Sequence, residues 1–139
     1  MKTFALLVAL LASVPTADAA VIATTKQKAL PVIENVRVSA DGKSYGFDIT
    51  KAPNTDAYDI WARITGARNK PEAEWFVRSM KLRTRAGKIA GATFAGSPLD
   101  MLAFSKKGTY QLTMFACPAN ANDPSEKSCA HASVGLVKK

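Results

Sequence analysis

Few residues in this sequence are equipped for bond-making chemistry. His131 is the only histidine, and Cys117 and Cys129 are the only cysteines. A serine-histidine-acid triad would have to use His131, which follows Cys129 by two residues at a strand position that alternation turns outward. Asp41, Asp48, Asp59 and Asp100 stand singly, whereas glycoside hydrolysis needs two carboxylates flanking one bond. HExxH and glycine-rich phosphate loops are missing from the sequence. A copper site would have to combine His131 with Met80, Met101 or Met114. Of these, Met80 and Met114 fall on the inward parity of their strands and Met101 in a short turn, places where methionine fills core space. The expectation is a non-enzymatic protein without metal or cofactor.

The cysteines take their meaning from the amino terminus. Met1-Lys2-Thr3 is a short basic start, Phe4 to Val14 is apolar, and Pro15-Thr16 breaks the run before Ala17-Asp18-Ala19. That order of charge, apolar core and small residues is an export signal, and cleavage is expected after Ala19. Removing residues 1–19 leaves 120 of the 139 and keeps the +8 charge. No apolar run reaches the roughly 20 residues of a membrane-spanning helix, so no integral membrane segment is expected. In an oxidising compartment Cys117 and Cys129 read as a disulfide closing a loop over 118–128 that is rich in proline, asparagine and serine. No Asn-x-Ser/Thr sequon occurs, which tilts the reading towards a periplasmic or secreted bacterial protein.

These cysteines must be held by strands. The chain is 47% apolar and 22% charged, a globular composition with length for one domain. Residues 20–29 read as a polar lead-in, and 30–139 as the folded domain. Short alternating runs separated by turn signals give an all-β pattern: 33–39, 45–50, 58–65, 75–84, 89–94, 109–117 and 129–137. In the third, Tyr58, Ile60, Ala62 and Ile64 face inward; in the sixth, Tyr110, Leu112, Met114 and Ala116 do so. Residues 66–74 read as a polar loop. Ser97-Pro98-Leu99-Asp100 starts a helical turn or two, with serine as N-cap and proline in the first position. The fold expected is a two-sheet sandwich of seven strands with one short helical turn.

The run Ser44 to Thr50, then Ala52-Pro53, then Tyr58 to Arg63, resembles the second and third strands of a fibronectin type III domain. Gly108 to Ala116 is similar to that family's sixth strand, where a tyrosine anchors the preceding corner. The likeness covers about half of residues 20–139. It lacks the tryptophan usual in the second strand and adds a disulfide between the last two strands. It implies an immunoglobulin-like sandwich, and a fold of this kind carries no function by itself.

What remains is surface. Parity places Trp61 and Arg63, then Trp75, Lys81 and Arg83, then Phe115 with Thr113 and Gln111, on one outward sheet face. Trp and Arg together are typical of binding hot spots. Seven basic residues from Arg68 to Lys88, Arg85 among them, face only Glu72 and Glu74 over 21 positions. Such a balance attracts anions, so the expected partner is an anionic cell-envelope polymer or a protein. Sequence-specific nucleic-acid recognition is not expected, since no recognition helix is present. The function expected is an exported binding or adhesion module using Trp61, Arg63, Trp75, Lys81, Arg83, Arg85 and Phe115. The alternatives are a secreted hydrolase inhibitor presenting the 118–128 loop, and a structural subunit of a surface assembly.

Overall fold

A computed structural model describes residues 30–85, 87–119 and 128–139. The expected signal (1–19) and lead-in (20–29) lie outside these residues, as does 120–127 of the expected loop. Among the described residues there are seven strands: β1 Val32–Val38, β2 Ser44–Thr50, β3 Ala57–Thr65, β4 Pro71–Lys81, β5 Ile89–Ala95, β6 Gly108–Pro118 and β7 Ala130–Lys138. They form two antiparallel sheets, β1-β2-β5 and β4-β3-β6-β7. Along one side of the sandwich β1 packs beside β7.

Alternation builds the core between the sheets. Tyr45, Phe47 and Ile49 from β2 meet Tyr58, Ile60, Ala62 and Ile64 from β3, with Leu112, Met114 and Ala116 from β6, all buried. Ile33, Val36, Phe94 and Leu136 close its margins. Gly46 has a specific reason to lack a side chain. A Cβ there would lie 2.0 Å from the Ala92 carbonyl oxygen, so β2 and β5 can approach only around a glycine. The expected helical turn is a 3-10 turn, Pro98–Leu102. Ser97 precedes it without a side-chain cap bond, and the buried Pro98 and Leu102 hold it against the core. Lys138 also ties it down, its ammonium donating to the carbonyls of Leu102, Ala103 and Ser105.

Two irregularities reorient side chains. In β1 the pairing with β2 shifts between Glu34 and Arg37, and Asn35 there takes a left-handed backbone (φ 56°). Its amide donates to Asp48 at 3.0 Å, and Arg37 reaches the other Asp48 oxygen at 3.0 Å. In β4 the pairing with β3 runs Arg78 to Ile60 and then Phe76 to Trp61, leaving Val77 as the extra residue of a bulge. The bulge overturns the parity expected for this strand: Phe76 faces outward opposite Trp61, and Trp75 turns inward opposite Ala62. The strand is also displaced from the expected 75–84. It starts at Pro71, within the expected loop, because Ala73 pairs with Ile64 and Glu74 with Arg63. It stops at Lys81, where Leu82 turns into the core and its amide donates to the Asp56 carbonyl at 2.7 Å.

Candidate functional site

The outward face of the four-stranded sheet brings together only part of the expected set. Trp61, Arg63 and Phe115 share it, and Phe115 is fully buried. Around Phe115 lie Trp61 and the Cys117–Cys129 disulfide, which join the carboxyl end of β6 to the residue before β7. The Arg63 guanidinium lies 4.7 Å above the Phe115 ring and its Nε donates to Glu74 at 2.8 Å. His131 stacks against the same ring, with centroids 5.8 Å apart. Phe76 meets Trp61 edge to face at 5.3 Å. This constellation is a second small core on the outside of a sheet, closed by a disulfide. Its arginine is neutralised by a carboxylate and its central ring is unreachable from solvent. Next to it runs a polar depression of about 530 Å³ that includes Arg63, Gln111, Thr113, His131 and Ser133. The Thr113 and Ser133 hydroxyls there bond to each other at 2.7 Å.

Trp75 belongs to a different place. It packs against the main core, edge to face with Tyr45, and its indole N–H donates to the Tyr45 hydroxyl at 3.1 Å. Its outer rim opens on a groove of about 420 Å³ between β4 and β5. Trp75, Phe76, Val77 and Arg78 form one wall; Thr93 to Ser97 form the other, with Met101 at the end. Met101 is therefore not core filler, being 48% exposed like Phe76. Among the described residues no acidic side chain lines the groove. Sequence parity could not find it, since it placed Phe76 and Trp75 on the wrong faces.

The basic residues divide by pairing. Arg37, Arg63, Lys70 and Lys81 each have a carboxylate within 4 Å, the last being Asp56 at 3.9 Å from Lys81. Arg83 lies beyond the end of β4, on the connection to β5, and not on the sheet face where it was expected; Arg85 shares that connection, on the turn between the two strands. With Arg78 and Lys88 they are exposed, and among the described residues none of the four has such a carboxylate. Four of the exposed cations without such a carboxylate thus lie at the β4–β5 flank, while Lys43, Arg68, Lys106, Lys107 and Lys139 are exposed in the same way elsewhere. No protein-family model matches this chain, and no curated protein matches it.

Proposed function

We propose that the chain is an exported, non-enzymatic binding module with an immunoglobulin or fibronectin III-like fold, and that it recognises an anionic partner through its β4–β5 flank. The strand order β1-β2-β5 and β4-β3-β6-β7 is compatible with such a fold. So is the corner at Tyr110, whose hydroxyl donates to the Lys106 carbonyl four residues upstream. The disulfide suits an oxidising compartment. One observation carries the choice of surface: Arg78, Arg83, Arg85 and Lys88 are exposed and unneutralised, while Arg63 of the outer face is held by Glu74. A cluster of uncompensated cations raises the local concentration of anions.

Binding of poly-L-glutamate, followed by fluorescence anisotropy, tests this function. Affinity is expected to fall steadily with added salt, because exposed charges are screened beyond about 8 Å at physiological ionic strength. Reversing Arg83, Arg85 and Lys88 to glutamate is expected to abolish binding with an unchanged melting temperature. Equal binding by the reversed protein would remove this flank as the anion surface.

A further inference from the structure

The four sheet edges are not alike. An edge strand exposes unpaired N–H and C=O groups, and proteins guard such edges with bulges, charges, proline or a covering element. The β4 edge has a proline at its start, Glu72, Glu74, Arg78 and Lys81 along it, and the bulge at Val77. The β1 edge is broken at Asn35 and packs beside β7, which shelters both of those strands. The β5 edge has none of these defences. Its seven residues, Ile89-Ala90-Gly91-Ala92-Thr93-Phe94-Ala95, carry no charge and no proline, and pair with β2 in unbroken register.

The hydrogen-bond phase of that edge follows from its last bond. The Gly96 amide donates to the Lys43 carbonyl, so in an antiparallel ladder residues 94, 92 and 90 also point their amides at β2. The amides and carbonyls of Gly91, Thr93 and Ala95 then point away from β2, towards the groove. Their side chains are glycine, threonine and alanine, small and exposed, so another backbone can come close. The far wall is apolar, from Trp75, Phe76 and Val77, and Arg78 stands on it.

We infer that β5 receives an extended segment of a partner protein by β-strand addition, and that this segment alternates apolar and acidic residues. Backbone bonds to Gly91, Thr93 and Ala95 would provide the pairing, as in other strand-addition modes. Apolar side chains of the added strand point into the groove beside Trp75 and Val77. The acidic ones alternate with them and point out of the groove, and those nearest the β4–β5 connection meet Arg83, Arg85 and Lys88, at the end where Arg78 also stands. Charge decides between a segment of this kind and a second copy of the chain: two copies would bring two +8 molecules together at their most basic flanks, which is repulsive. The inference rests on the anionic-partner function proposed above and specifies its occupant.

The experiment uses three probes: a peptide of four Val-Glu repeats, a block peptide of the same composition, and poly-L-glutamate. The repeat peptide is expected to bind at least about tenfold more tightly than the block, and Thr93→Pro to remove that advantage by deleting one outward amide. Poly-L-glutamate binding should not change in Thr93→Pro. Because a proline could disturb the strand, amide hydrogen exchange of the unaltered protein gives a second measure: Gly91, Thr93 and Ala95 should gain protection with the repeat peptide. Equal affinity for the two peptides, or no gain in protection at those amides, overturns strand addition while leaving anion binding intact. Loss of binding to all three probes overturns both proposals. Self-association of the chain through β5, seen as the same protection without peptide, assigns the edge to a second copy and overturns the partner.

Discussion

Phe115 points away from the main core and is nonetheless fully buried. Trp61, the disulfide and the stacked Arg63 and His131 surround it, so its role is packing and not contact with a partner. Phe115→Ala is expected to lower unfolding stability by about 3–5 kcal/mol in urea denaturation, the range for a buried phenylalanine, with no loss of poly-L-glutamate binding by the folded fraction. Asp48 gives a pH-dependent counterpart at the same scale. The Asn35 amide, joined by Arg37, holds its carboxyl below the ordinary value of 3.8. A carboxylate with a depressed folded pKa stabilises the fold above its unfolded pKa, and that contribution fades as pH falls through the folded one. Asn35→Ala should therefore raise the Asp48 midpoint towards 3.8, read by carbon-13 NMR titration, and reduce the pH dependence of stability between the two values. An unmoved midpoint would show that Arg37 alone sets it.

At the scale of elements, how well each strand could be read from sequence depended on whether it is regular. In β3 and β6 the apolar residues alternate, and Tyr58, Ile60, Ala62 and Ile64, with Leu112, Met114 and Ala116, face inward as their spacing requires. In β4 the same rule fails at one residue. Val77 is apolar and β-branched like an ordinary strand residue, so nothing in its type marks the bulge that exchanges Trp75 for Phe76. The end of β4 was hidden for another reason: the Leu82 amide is captured by Asp56, far away in sequence. Part of the candidate site was legible, since the basic run was plain and Arg85 and Lys88 fell on the turn between two expected strands, but the place of Arg83 off the sheet face required the tertiary fold. Gly46 and Tyr110 offer element-level tests. Gly46→Ala should push β2 and β5 apart and cost about 1–3 kcal/mol, as overpacking does, with faster amide exchange along β5. Tyr110→Phe should cost about 1 kcal/mol by losing the bond to Lys106, and a stability equal to the parent would show that the corner contributes nothing.

For the whole molecule, the sandwich is closed unequally. On one side β1 and β7 lie together, and on the other β4 and β5 stand apart around a groove. The disulfide reinforces neither side directly. It joins two neighbouring strands of one sheet across a sequence separation of 12. Reducing it should lower global stability by about 3 kcal/mol, the chain-entropy value for a loop of this size, without abolishing the strand pairing of β6 with β7. A circular-dichroism melt with and without reductant reads this directly, and an unchanged melting temperature would place the stabilisation elsewhere.

Under mechanical load the same bond acts as a bypass. Tension applied at the carboxyl end peels β7 from Lys138 back to Ala130 and then reaches Cys129, where it crosses to Cys117 through sulfur. The intervening stretch of chain bears no force. Twelve residues of extended chain span about 40 Å, against 4.3 Å between the bonded Cα atoms. In single-molecule stretching the oxidised protein should fall short of the reduced one by most of that length, a hidden slack released only by a reductant.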